Sequence, residues 1–539
     1  MNELLDLLTL VPFVLYAETH YRFKYFFSYL RKSEPEIIFD APHRIDADFR
    51  IPILMVAKDA DTYPCEIVNV VASISQGGVL CSRQTLIRDS LSVNQRLGWF
   101  LFELDPKGLR GSIEIDIEFE LRRGTKKKRY RNDNHRTSSH RALSVYLSPH
   151  PLPQLPGVYY GDAHTHSSYT DDQVEFGAPL EPSITLAQAM GLKFFCTTDH
   201  SYDLDDRTDT FLVNDPAIPK WSIFQEEVQH LNNRHREFAV LRGEEVTCRN
   251  ARGKNVHLLL FGNRTFVPGS GDSAERWCRT RSEHSIEEIL RSTEKSVSAF
   301  AAHPRETVSL LQRLLIGRGR WEDEDFEHAG LTGLQFVNGV LHDGFTEGKA
   351  SWVKLLLGGK ELTIVGGNDS HGNFNRFRQI GVPFLRIVER PYQIFGKMRT
   401  GVLSGDQLSE DSLLAAIMKG LCFVTNGPLC VITLVNEDGA RTEMGGFAQG
   451  SKLICNVQVK STEEFGLLAG FCLYQGVIGG EKEQLLWHLK DVGAYQFEGD
   501  VPVAGTVSSY IRAEVFTRRE SSPRGEALFA FTNPIWVKC

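Results

Sequence analysis

The stretch YYGDAHTHSSYTDD, Tyr159–Asp172, places His164 and His166 just after an apolar, strand-like start and follows them with a hydroxyl-rich run and two aspartates. On an extended strand, H-x-H sends both imidazoles to the same side, so the pair can chelate one ion. An isolated H-x-H is weak evidence, and recurrence gives it weight. LKFFCTTDH ends in Asp199 and His200, FAVLRGEEVT carries Glu244 and Glu245, NVHLLLFG holds His257, and VSAFAAHP ends in His303. LTGLQFVNG offers Asn338, and LTIVGGNDSH closes with Asp369 and His371. Imidazoles and carboxylates without thiolates suit Zn²⁺, Mn²⁺ or Fe rather than a cysteine-bound structural zinc. A ligand-type residue at the end of strand after strand is what a multinuclear metal site requires.

These runs must be brought together by the fold. From about 156 to 425, short apolar runs alternate with helical stretches such as WSIFQEEVQHLNNRHREF and SIEEILRSTEKS. That alternation predicts β/α units around a parallel sheet or barrel, whose strand ends converge on one face. Residues 1–155 read as a β-rich, sandwich-like domain with a partly helical lead, on the period-two alternation of SIEIDIEFEL and RALSVYLSP. The basic run Arg122–Arg136 between them reads as a solvated loop, since no stacking aromatics or second basic strip accompany it. Residues 426–539, with VITLVN, KLICNVQVKS, YIRAEVFT and ALFAFTNPIWV, read as a second β-sandwich.

A net charge of −8 over 539 residues provides no global positive field to recruit nucleic acid. No apolar run approaches the roughly 18 residues that cross a bilayer, which predicts no membrane span. The segment MNELLDLLTLVPFVLYAETH carries Glu3 and Asp6 where a signal peptide needs basic residues, so it reads as part of the fold or as a docking segment, and the expected location is cytoplasmic. Ten scattered cysteines with no C-x-x-C pair argue against a disulfide framework, and Cys196 reads as a small buried strand residue.

The ordered set HTHSSYTDD, TTDH, GEEVT, HLLLFG, AHP and GNDSH resembles the motifs of the PHP (polymerase and histidinol phosphatase) superfamily, across about half of the chain. GDAHTHS with the flanking β segments is similar to its CehA/McbA-type branch. The resemblance implies a distorted (β/α)7 barrel flanked by β-sandwich domains and holding two or three divalent metals. Carried over residue by residue, the ligands are His164, His166, Asp171, His200, Glu245, His257, His303, Asp369 and His371. The family shows glycine after the aspartate where this chain has Asp171 then Asp172, so either aspartate fits that position. Glu245 is preferred to Glu244 because the family pattern is Gly, any residue, Glu. Asp199 is expected to orient a ligand imidazole from behind.

The chemistry that follows is hydrolysis by a hydroxide bridging the ions. Asp369 is the expected proton acceptor, with His303 or His371 passing a proton to the leaving group. No serine nucleophile is needed, so Ser167, Ser168 and Ser370 read as turn residues. Arg249, Arg252, Lys254, Arg305 and Arg376 lie close in sequence to the ligands, and Arg305 in particular is a candidate for meeting phosphate oxygens. The small-molecule substrate is then a phosphomonoester or a small cyclic or diester phosphate. A carboxyl ester or carbamate using the same metals is the alternative, and an inactive binding or scaffold protein is a third. His230 and His235 lie on a helical stretch and read as solvent-facing, His284, His328 and His342 stand in polar contexts with no clustered partner, and Trp221 and Phe224 read as core. Oligomeric state is open.

Overall fold

The computed structural model describes residues 33–538 apart from 135–139, 172–176, 274–279, 340, 342, 376, 382–385, 391–392, 406 and 520–527. The apolar lead, Asp172, Arg376 and His342 therefore lie outside the described residues.

In the N-terminal segment, inward residues at every second position make the strands. Ile113, Ile115, Ile117 and Phe119 of Gly111–Arg123 enter one buried core with Ile37, Phe39, Ile53 and Met55, while the residues between them face outward. A three-stranded sheet (Glu36–Asp40, Ile51–Lys58, Leu97–Leu104) and a six-stranded sheet built on Cys65–Gln76 and Gly111–Arg123 share that core. The basic run is not a loop. Lys126–Arg131 pairs antiparallel with Gly111–Arg123, and its cations meet acids: Arg131 with Asp116, Lys128 with Glu34, and Lys127 and Arg129 with Glu120. Local charge matching on a hairpin accounts for the run.

Eight strands carry the candidate site: β1 Val158–His166, β2 Phe194–Thr197, β3 Ala239–Arg249, β4 Asn255–Phe261, β5 Ser298–Ala302, β6 Gly333–Asn338, β7 Thr363–Gly367 and β8 Ser370–His371. They do not form the expected (β/α)7 barrel. Among the described residues, strands make up 46% and helices 15%. The β1–β2, β2–β3, β5–β6 and β6–β7 pairs are parallel, but β3–β4 and β4–β5 are antiparallel. Sheet order is β7-β6-β5-β4-β3-β2-β1, and the path then continues through Arg399–Leu403, Cys422–Thr425, Leu528–Thr532, Ser509–Arg518 and Leu467–Val477 to Gln484–Lys490. The free edge of β1 is taken by antiparallel Arg399–Leu403 and, at its end, by parallel β8. The physical reason is local. The Asn250–Lys254 turn, with Gly253 at φ 70°, reverses the chain between two apolar runs and makes a hairpin where a helix was expected.

Helices fill some of the other connections. Leu180–Ala189 joins β1 to β2, Pro219–Arg234 lies between β2 and β3, and Asp343–Leu357 lies between β6 and β7. Trp221, Phe224, Val228 and Leu231 bury one stripe of Pro219–Arg234. Ser285 caps Ile286–Ser292, accepting from the Glu288 backbone N–H while Glu288 returns to the Ser285 backbone.

In the C-terminal segment, Arg441–Glu443, Leu429–Val435, Lys452–Lys460 and Gln496–Ala504 form a separate four-stranded sheet that shares a core with the continuing strands. Among the described residues, no helix is long and apolar enough to cross a membrane.

Candidate metal centre

Along β1 the side chains alternate. Ala163 enters an apolar cluster with Phe194, Leu241, Phe300 and Val365, whereas His164 and His166 turn the other way and are fully buried. Gly367 makes this packing possible, since a Cβ there would lie 2.5 Å from the His164 Cβ. The other imidazoles arrive from strand ends: His200 just after β2, His257 within β4, His303 just after β5, and His371 on β8, where it pairs with His166. His303 (φ 30°) and Asp369 (φ 52°) both sit in the left-handed region, unusual for residues other than glycine, and such strain persists only where the surroundings over-determine it.

The convergence point is Glu245. Its Oε2 lies 3.4 Å from His164 Nε2, 3.3 Å from His166 Nε2 and 3.1 Å from His200 Nδ1. Its Oε1 lies 2.5 Å from His257 Nδ1 and 3.3 Å from His303 Nε2. Asp369 Oδ1 is 3.4 Å from His164 Nε2 and 3.0 Å from His166 Nε2, and its Oδ2 accepts from Gln393 Nε2 at 2.9 Å. The His371 ring stacks on His166 with centroids 4.1 Å apart.

Among the described residues, three ligand groups emerge: His166, His200 and His371; His164, His166, Glu245 and Asp369; and His200, Glu245 and His257. His164 Nε2, His200 Nδ1, His371 Nε2 and Glu245 Oε2 are all buried with no hydrogen-bond partner. Orphaned buried polar atoms are costly, and facing lone pairs repel. A divalent cation resolves both problems, so the donor set fits two or three hard-to-borderline ions.

Electrostatics follows from the crowding. Burial pushes Glu245 up, but the surrounding imidazoles, His257 and His164 foremost, hold it well below the usual carboxylate range. Burial lowers His200 to about 3, with charged His166 adding to the shift, and lowers His371 to about 4. Both are thereby neutral, as metal ligation requires. Burial also disfavours charge on His166, yet Asp369 and Glu245 raise it to about 10 in the absence of metal.

The neighbours of the ligands differ from the sequence expectation at several points. Asp171 is not in the cluster. It pairs with Lys58 Nζ at 2.8 Å and with Arg96, so it clamps the N-terminal sheet to the loop after β1. Arg305 is also elsewhere, paired with Asp323, donating to Ser351 Oγ at 3.0 Å and lying over the Phe326 ring. Arg249 pairs with Glu288, Arg252 pairs with Glu322, and Lys254 is exposed.

Asp199 orients no imidazole directly. It accepts from the Ser167 and Thr170 backbone N–H groups and from the Ser167, Thr170 and Thr197 hydroxyls, fixing the turn after His166. Asn338 Oδ1 accepts from Gln335 Nε2, and it is Gln335 Oε1 that approaches His164 Nδ1 (3.4 Å) while accepting from the His303 N–H. Glu244 faces away, accepting from Asn263 and the Val267 N–H, and burial pushes it up to about 8.

Sequence reasoning missed Asp272, Arg318, Gln335 and Gln393. Gln335 stands in the LQFVNG run and was within reach, but the loops bearing the other three carry no periodicity. His284 and His328 stay outside the cluster. Cys196 is buried, its thiol pushed well up by that burial. Ser370 Oγ is buried without a partner.

The corrected position of Asp171 is testable. Asp171→Asn should leave bound metal unchanged while costing up to about 3 kcal/mol of stability, because it removes the carboxylate charge that pairs with buried Lys58 and with Arg96. Elemental analysis and urea unfolding of the variant check the two halves.

No family model matches the chain, and no curated protein matches it. Among solved structures, it aligns with a glycosyl hydrolase family 2 member from Bacteroides cellulosilyticus (12% identity, TM-score 0.16, covering 92% of this chain and 62% of that one). It also aligns with a Paenibacillus sp. cycloisomaltooligosaccharide glucanotransferase (8%, TM-score 0.18, 93% and 71%) and with Parabacteroides merdae β-glucuronidase (9%, TM-score 0.19, 93% and 65%). The chain thus spans less than two thirds of the length of the first of these. With TM-scores below 0.2, none of the three superposes closely enough to assign a fold or an activity.

Proposed function

We propose that this chain is a metal-dependent hydrolase of small ester substrates, phosphate esters first, akin in its motifs to the PHP superfamily and its CehA/McbA-type branch. One observation carries the reading: five imidazoles ring the two oxygens of buried Glu245, and three of the facing atoms, His164 Nε2, His200 Nδ1 and Glu245 Oε2, have no hydrogen-bond partner. His164, His166, His200, Glu245, His257, His303, Asp369 and His371 would hold the ions. Two or three divalent cations there would polarise the ester and supply a hydroxide nucleophile at neutral pH.

The remaining work falls to the chain. In this reading Asp369, whose Oδ2 accepts from Gln393 Nε2, would take up a proton, and His303 would pass one to the leaving group, since burial lowers His371 to about 4 and keeps it neutral. His164, His166, His200, Glu245, His257 and His303 are buried, which strengthens their charge interactions, while Asp369 and His371 are half-buried. Arg318, 18% exposed at its side chain, supplies positive charge at the edge of the cluster and suits an anionic ester.

A carboxyl ester or carbamate is the second reading, and it too has an observation in its favour. Arg249, Arg252 and Arg305 are turned to acids and carbonyls, so they present no cationic clamp for phosphate. Protein loaded with Mn²⁺, Zn²⁺ or Fe²⁺ should bind two or three ions by elemental analysis and release nitrophenol from phosphate mono- or diesters. Turnover confined to aryl esters or carbamates selects the second reading. Bound metal with silence across all three panels defeats both.

A further inference from the structure

We infer that Arg399 holds a small monovalent oxyanion of carboxylate geometry, of the size of formate or bicarbonate, where the three segments of the chain meet. Arg399 opens the strand Arg399–Leu403 and is 2% exposed. Its Nη1 donates to the Gly396 carbonyl at 3.1 Å, and the Phe465 ring covers one face, 5.3 Å from the guanidinium carbon. Nε and Nη2, the two nitrogens along one edge, are both buried without a hydrogen-bond partner. Among the described residues, no other arginine has both buried and unpartnered.

Elsewhere in the chain that edge grips a carboxylate. Nε and Nη2 of Arg131 donate to the two oxygens of Asp116, both at 2.6 Å, and those of Arg207 to Asp209, both at 2.8 Å. Those of buried Arg242 donate to Glu410 at 2.6 and 2.9 Å. Two parallel N–H groups match two oxygens of one planar anion, and Arg399 presents the same fork.

The acids beside it are already claimed. Arg44 donates to both oxygens of Glu464 and to Oδ1 of Asp46. Against those two negative charges stand Arg44, Arg399 and Lys397. Burial first, and then Lys397, Arg399 and Arg44, push His43 down to about 3, so it adds no charge of its own. Burial and Arg44 lower Arg399 to about 10, which leaves it a cation at neutral pH. Buried donors of a charged group without acceptors are costly, and one more negative charge at the fork removes that penalty. Because both nitrogens are buried, no side chain of a partner protein reaches them. An ion of a few atoms enters through local opening.

Equilibrium dialysis against ¹⁴C-formate, in gluconate at constant ionic strength, tests the site. Wild-type protein should bind one more formate per chain than Arg399→Met. Unlabelled bicarbonate should displace it, whereas gluconate is too bulky for a buried site. Arg399→Lys keeps the charge but loses the fork, and should weaken formate binding about tenfold or more. In urea, formate should raise the unfolding midpoint of wild type above its value in gluconate and leave Arg399→Met unmoved, because an anion bound only by the folded chain stabilises it.

Equal formate binding by wild type and either variant overturns the inference. Should neither variant fold, chelator-treated wild type still decides, because the lack of a saturable formate site that bicarbonate competes for overturns it as well. None of these readouts involves bound metal or ester turnover.

Discussion

Glu245→Gln is expected to strip bound divalent metal from the chain and to lower ester hydrolysis by more than about 100-fold. The amide matches the carboxylate in shape, so packing around the fully buried side chain changes little. What changes is chemistry. One oxygen becomes an NH₂ that cannot ligate and that points a donor at imidazoles needed as lone-pair donors. Because Glu245 faces His164, His166 and His200 on one oxygen and His257 and His303 on the other, a single substitution disturbs every part of the cluster. Loss of an outer partner of a ligand costs about 10- to 100-fold in metal affinity or activity, and loss of the shared central carboxylate should exceed that range. Elemental analysis and nitrophenol release measure both effects. Retention of full metal content would refute the central role given to Glu245. Glu244→Gln is the matched comparison, since that side chain faces Asn263 and should leave metal content untouched.

The largest stability effect is expected at Arg44. Its guanidinium is 2% exposed and ties three segments of the chain together. Nε and Nη2 donate to Glu464 at 2.9 and 2.8 Å, Nη2 donates to Asp46 at 3.0 Å, and Nη1 donates to the Met190 carbonyl at the end of a central helix. Arg44→Met removes all of these and leaves two carboxylates buried side by side, a change that costs about 3–5 kcal/mol. Burial already pushes Asp46 up even with Arg44 present, so the remaining pair would bind a proton or draw in water. Urea unfolding should show the loss. Arg399 is buried beside the same acids, so the fourfold change Arg44→Met, Asp46→Leu, Glu464→Met and Arg399→Met should recover most of it, because replacing a whole buried ion cluster with apolar groups is often neutral. A fourfold variant as unstable as the single one would show that the guanidinium acts through packing rather than charge.

Much of the site was legible in the sequence because its residues obey strand geometry. His164 and His166 share a face by period two, and His200, His303 and His371 follow apolar runs that had to be strands. Asp171 misled for the opposite reason. It is five residues from His166, yet the turn pinned by Asp199 sends it to Lys58 on another sheet, a long-range ion pair that leaves no local trace. Arg305 directly follows a His-Pro pair, but Asp323 and Phe326 capture it from the short 3₁₀ helix Asp323–Glu327. The expected barrel failed at one turn. Apolar runs on both sides of Asn250–Lys254 look alike whether the chain crosses over through a helix or folds straight back. Only the short polar link with Gly253 favours the hairpin. Asp272 and Arg318 were invisible because loop positions have no period to betray them.

The ladder that passes from β1 through Arg399–Leu403 and Cys422–Thr425 into Leu528–Thr532 bears on how the protein can be dissected. A fragment ended at residue 425 would strip Phe423, Val424 and Thr425 of their partners in Leu528–Thr532 and leave raw amide and carbonyl groups along one edge of a buried strand. Such an excised piece would seek another copy to complete itself. The segment that carries the candidate site is therefore not a portable cassette, because strands that follow residue 425 cover its open sheet edge.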